Sequence, residues 1–102
     1  MDKPTITTLD NKKHEMITPT GRHWRIFSEF VESNPEYTDA DFIEKHAAFI
    51  AEFYQGVTAD DILDLPLEEI LPVSMAIRNY ITKMLTAKFE QIEKNVETGK
   101  AQ

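Results

Sequence analysis

Apolar residues recur along this chain mostly three and four positions apart, the spacing of a helix face, and only the first seventeen residues lack that rhythm. Trp24, Phe27, Phe30 and Val31 make one aromatic face of a first helix. Thr18 is its expected N-cap, with Pro19 at the first helical position, where a missing N–H costs nothing. Ser33-Asn34-Pro35 should end it, because a residue before proline avoids the helical region. In a second helix, Thr38 and Asp41 stand like the two ends of a capping box, and Asp39 and Glu44 suit the positive end of the helix dipole. Phe42, Ile43, Phe49, Ile50, Phe53 and Tyr54 give that helix a broad apolar face, and Gln55-Gly56 is a favoured stop.

Thr58 caps a short turn, Ala59-Asp60-Asp61-Ile62-Leu63, which ends before Pro66. Pro66 and Pro72 bracket another short helical piece, and Pro72 is the expected start of a last, long helix. From Val73 through Ile77, Ile81 and Leu85 to Val96, an apolar stripe persists for about six turns at 3.6 residues each. Two short helices cannot cover it. Some of the outer residues Met84, Phe89, Ile92 and Val96 are therefore expected to be exposed or in a subunit contact, and the four are the candidate protein-binding residues. Trp24, Phe27, Phe49, Phe53, Ile77 and Ile81 are the expected core.

The fold class that follows is mainly α, a small domain of three to five helices. Residues 1–17 read as a short β-hairpin or an extended arm, with strand-like Thr5–Leu9 and turn-like Asp10–Lys13. The helical domain spans 18–96. A flexible tail is expected at 97–102, where the stripe has ended and Gly99 disfavours helix by about 1 kcal/mol relative to Ala.

At 102 residues the chain is one domain with a thin core. Its ten aromatic residues argue against disorder. The absence of cysteine excludes disulfides, thiolate metal sites and cysteine nucleophiles. No signal-peptide pattern opens the sequence and no apolar run is long enough to span a bilayer, so the cytoplasm is the expected address. The net charge of −7 is uneven: residues 29–71 hold twelve acids against Lys45 alone, and the flanking segments are each slightly basic. Such an acidic middle repels phosphate backbones and anionic membranes, so neither nucleic acid nor membrane is an expected partner.

Candidate chemistry is sparse. His14, His23 and His46 do not have the spacing of a helical zinc site. His46, among Phe42, Phe49 and Phe53, reads as a hydrogen-bonded core or boundary histidine, and the other two as surface residues. Asp60, Asp61 and Asp64 lack the alternation and the glycine of a calcium loop, and after Thr58 they read as acids at a helix start. The three glycines are isolated, so no phosphate loop forms. No catalytic, cofactor-binding or metal-binding residue is expected, and the chain does not read as an enzyme.

Two stretches together resemble a known family. Thr18-Pro19-Thr20-Gly21-Arg22 opens the aromatic helix, and some thirty residues later an apolar helix runs into Phe53-Tyr54-Gln55-Gly56-Val57-Thr58-Ala59-Asp60-Asp61-Ile62. In order and separation these are similar to the small tail assembly chaperones of long-tailed bacteriophages. There, a Pro-Ser/Thr-Gly-Arg turn precedes a Phe-x-x-Gln-Phe/Val-Thr-x-Asp-Asp-Ile passage. The resemblance covers residues 17–90. It implies a helical protein of the host cytoplasm that keeps the long tape-measure protein soluble during tail assembly and is absent from the virion. It also implies a longer, frameshifted form that recruits tail-tube protein. Self-association is a further expectation. A different class fits the acidic middle alone: a small inhibitor that mimics nucleic acid and binds a host enzyme.

Overall fold

Thr5-Ile6-Thr7 and Lys13-His14-Glu15 pair as antiparallel strands β1 (Thr5–Thr7) and β2 (Lys13–Glu15), with Ile6 opposite His14. Asn11, at φ 64°, turns the loop between them, and Thr8 closes it by donating its N–H to the Lys12 carbonyl at 3.0 Å. Asparagine is one of the few residues that tolerate this left-handed region. The hairpin is held to the helices. Ile6 and Met16 are buried, Ile17 N–H donates to the Phe53 carbonyl at 3.0 Å, and Tyr54 Oη donates to the Pro4 carbonyl at 2.9 Å. Within the described residues 2–17 the segment is thus a docked hairpin, which decides between the two sequence expectations.

The structure is a computed structural model that describes residues 2–93 in full and the helical backbone on to Ala101. Four helices follow the hairpin: α1 (Gly21–Ser33), α2 (Phe42–Ala51), α3 (Ala59–Leu63) and α4 (Leu67–Ala101). The mainly α class with a short N-terminal hairpin is as the sequence predicts. Val96 and the flexible tail expected at 97–102 lie outside the fully described residues.

Several boundaries differ from expectation. The N-cap of α1 is Thr20, in extended conformation, and its N–H donates to His23 Nδ1 at 3.0 Å. Thr18 instead accepts a hydrogen bond from Lys3 Nζ at 2.9 Å. Asn34, left-handed at φ 44°, ends α1 before Pro35 as predicted. The Thr38–Asp41 box does not form. Asp39 takes over the turn, accepting the Glu36 N–H at 2.9 Å, and α2 starts three residues later than expected. It ends at Ala51 in tight turns, Glu52 N–H to Phe49 O and Phe53 N–H to Ile50 O, that reach Gly56 at φ 75°. Thr58 caps α3 as the sequence predicts: Asp61 N–H donates to Thr58 Oγ1 at 3.2 Å and Thr58 N–H donates to Asp61 Oδ2 at 2.9 Å.

The two helical pieces expected around Pro72 are one helix. Pro72 lies inside α4, as its sixth residue. A proline there loses its own N–H bond and crowds the carbonyl four residues back, a cost of about 3 kcal/mol. Pro72 and Glu68 are both exposed, while Ile70, Ser74 and Ile77 beside them are fully buried. Fully burying an isoleucine is worth about 1.5–3 kcal/mol, so the packed face offsets the interruption.

The core is Ile50, Phe53, Ile62, Ile70 and Ile77, closed by Ile6 and Met16 from below and by Phe49 and Ile81 at its edges. The expected core therefore holds for Phe49, Phe53, Ile77 and Ile81. It fails for Trp24, which is 47% exposed, and Phe27 is only partly buried. No residue of α1 is buried. His23 takes the inward place expected of Trp24, its ring 5.3 Å from that of Phe53, and is half-buried where a surface position is expected. His14 is likewise half-buried, 3.2 Å from Thr8 Oγ1.

Candidate protein-binding surface

Burial along α4 changes abruptly after Ile81, the last buried residue of the helix among those described. Tyr80, Met84 and Leu85 are half-buried, and the helix then leaves the domain behind. Phe89 is 63% and Ile92 56% exposed, so two of the four sequence-predicted binding residues stand in solvent. Met84 sits at the margin of the core. The molecule is elongated, 56 × 31 × 21 Å across.

The other end of α4 lines a cleft that sequence reasoning missed. Phe30 of α1, Phe42 and His46 of α2, and Leu71, Met75 and Arg78 of α4 surround about 310 Å³. Val31, Leu71 and Met75 are exposed at its mouth. The floor is built by His46, which is buried with its ring edge-on to Phe30 at 5.0 Å and Phe42 at 4.7 Å. Its Nδ1 shares a 2.8 Å hydrogen bond with Ser74 Oγ. Burial, then the nearby Arg78 charge, holds its pKa below the usual histidine value, which favours the neutral ring. Burial and a hydrogen bond are what the sequence predicts for His46. Arg78 lies over the Phe30 ring, 5.7 Å from its centre, and directs Nη2 at Met75 Sδ at 3.2 Å. Its Nε is buried without a hydrogen-bond partner among the described residues. The only sequence signal for this cleft was a lone arginine on the long helix's stripe.

A recess between the hairpin loop and α3 gathers Asp10, His14, Asp61 and Asp64. Asp61 is committed to the Thr58 cap. The Thr8 hydroxyl and the Lys12 N–H engage Asp10, and the Thr8 bond is the main cause holding its carboxyl below the usual range. Among the described residues no group of three metal-ligating side chains converges. Tyr54, pushed up to about 12 by burial, serves as a hydrogen-bond donor. No helix among the described residues is long and apolar enough to cross a membrane. Comparison with protein-family descriptions, curated proteins and solved structures finds no match to this chain.

Proposed function

We propose that this chain is a tail assembly chaperone of a long-tailed phage or prophage, acting in the host cytoplasm by binding the tape-measure protein. The observation that carries the reading is the projecting half of α4, where Phe89 and Ile92 hold apolar surface away from the core. An uncovered helical stripe suits a client that is itself a long amphipathic helix, by helix-to-helix docking. The reading is also supported by the resemblance of Thr18–Arg22 and Phe53–Ile62 to the family's two passages. Several weak contacts along one long client would add by avidity. A frameshifted longer form would bring in the tail-tube protein, and a second copy is a further partner for the same stripe.

Co-expression with the product of the longest reading frame beside its gene tests this. The expected result is a soluble complex with the 102-residue chain, lost on Phe89→Glu or Ile92→Glu while the free domain keeps its melting temperature. Recovery of a nucleic-acid enzyme instead would favour the acidic-mimic alternative and overturn the chaperone assignment.

A further inference from the structure

Leu71, Met75, Arg78, Leu85, Phe89 and Ile92 are spaced by three, four or seven residues, and at 3.6 residues per turn they share one side of α4. Phe89 stands five full turns beyond Leu71 and so directly in line with it. That side begins in the α1–α2–α4 cleft and runs on along the part of the helix that leaves the core. Leu71, Met75, Phe89 and Ile92 are all exposed on it. At 1.5 Å per residue the face is roughly 30 Å long, the length of a helix of about 20 residues.

Arg78 interrupts this apolar face with a charge at an instructive place. Its guanidinium is fixed by the Phe30 ring on one side and by a thioether, a weak acceptor, on another. The Nε donor is buried and unmet among the described residues. A guanidinium presents its donors as a planar fork that fits a carboxylate through two parallel bonds. Neither neighbour supplies one: His46 is committed to Ser74, and apart from Asn34, a neutral amide, the remaining cleft walls are apolar side chains without a carboxylate.

We propose that an amphipathic partner helix docks lengthwise on this side of α4, with its apolar side on Met75, Phe89 and Ile92 and one carboxylate, a turn from an apolar anchor, paired with Arg78 in the cleft. Where that helix passes the cleft, beside α1 and α2, it is otherwise neutral or basic, because residues 29–71 of this chain hold twelve acids against one lysine and repel a uniformly acidic segment there. The inference rests on the client reading only for the existence of a helical partner. It adds the face, the length and the charge pattern.

Three synthetic helical peptides of about 20 residues test it, alike in a Leu/Phe stripe and Lys flanks and carrying Glu, Gln or Lys four positions after the central Phe. Each is titrated into the isotope-labelled full chain while the Arg78 Nε–Hε resonance and the amides of 71–92 are followed. The Glu peptide should move the Arg78 resonance and the amides along this side of α4. It should bind about tenfold to a hundredfold more tightly than the Lys peptide. Arg78→Gln should abolish the difference between the Glu and Gln peptides, and Met75→Glu, at an exposed site, should weaken all three. Equal affinity for the Glu and Lys peptides, no binding, or shifts that miss Arg78 would overturn the proposal. Should Arg78→Gln fail to fold, the wild-type Arg78 resonance decides alone. The peptides contain no phage sequence. Their failure alongside successful capture of the tape-measure protein would remove this docking mode only, and the converse result would remove the client and leave the site.

Discussion

The Nδ1 atom of His46 lies 2.8 Å from the hydroxyl of Ser74, and both residues are shut away from solvent. The pair joins α2 to α4 and carries a polar contact through an otherwise apolar contact between them. Ser74→Ala would strand the imidazole nitrogen without a partner. Leaving one buried group unmet costs about 1–3 kcal/mol, which lowers the melting temperature by roughly 4–8 °C per kcal/mol in a domain of this size. Thermal unfolding by circular dichroism checks this, and an unchanged midpoint would show that the bond is replaced.

The same histidine sets a pH dependence. Its folded pKa lies below the usual 6.5, so the unfolded chain takes up a proton first as pH falls. The stability it contributes is complete above about 6.5 and is lost as pH drops through the folded value. Urea midpoints measured between neutral and mildly acidic pH should fall for the native chain. They should fall less for His46→Gln, and parallel curves would exclude His46 as the source.

Phe49 and Phe53 should be the most costly aromatic truncations. Phe49 stacks on Phe30 with ring centres 4.2 Å apart, and Phe53 is wholly enclosed. Replacing either with alanine leaves a cavity worth about 3–5 kcal/mol, a large part of a small domain's stability. An unchanged denaturation midpoint for Phe49→Ala would contradict the α1–α2 packing.

Trp24 should behave as a surface residue despite its size. It lies against Phe27, ring centres 5.2 Å apart, yet nearly half of it is exposed. Trp24→Ala should cost far less than Phe49→Ala, and the native indole should be open to quenching by iodide. A blue-shifted, unquenched emission would place it in an interface between copies.

Thr58→Ala should cost about 1 kcal/mol, because it removes the acceptor for the Asp61 N–H at the start of α3. Denaturant unfolding at constant slope would report the loss, and Thr58→Ser should restore most of it.

Those caps mark what could be read from the sequence. Thr58 and Asp61 satisfy each other across three residues, so the chemistry is local and the pattern sufficed. The burial of His46 was legible too, because its aromatic neighbours recur on its own helix. Thr38 and Asp41 carry the same pattern, but Asp39 competes for the turn by accepting the Glu36 N–H, and spacing alone does not rank the two. Trp24 was misplaced because its helical spacing to Phe27, Phe30 and Val31 suggests one shared inward face, whereas the Thr20–His23 hydrogen bond marks where α1 starts and His23 is the residue that meets Phe53. The continuity of α4 through Pro72 depends on the buried face of Ile70, Ser74 and Ile77, which only the assembled fold supplies. The cleft depends on Arg78 meeting Phe30 from another helix, a long-range contact with no local signature.

Beyond Leu85, which still packs against the core, α4 has no described core contact to share the cost of opening, and this sets how long its backbone protons survive in heavy water. Exchange there needs only fraying of the helix, whereas amides near Ile77 exchange through opening of the domain. Deuterium uptake should therefore rise stepwise from Leu85 towards Glu93, on a timescale well separated from that of the core. A bound helix would carry the slow zone outward residue by residue, so its outer limit would measure the length of the contact directly.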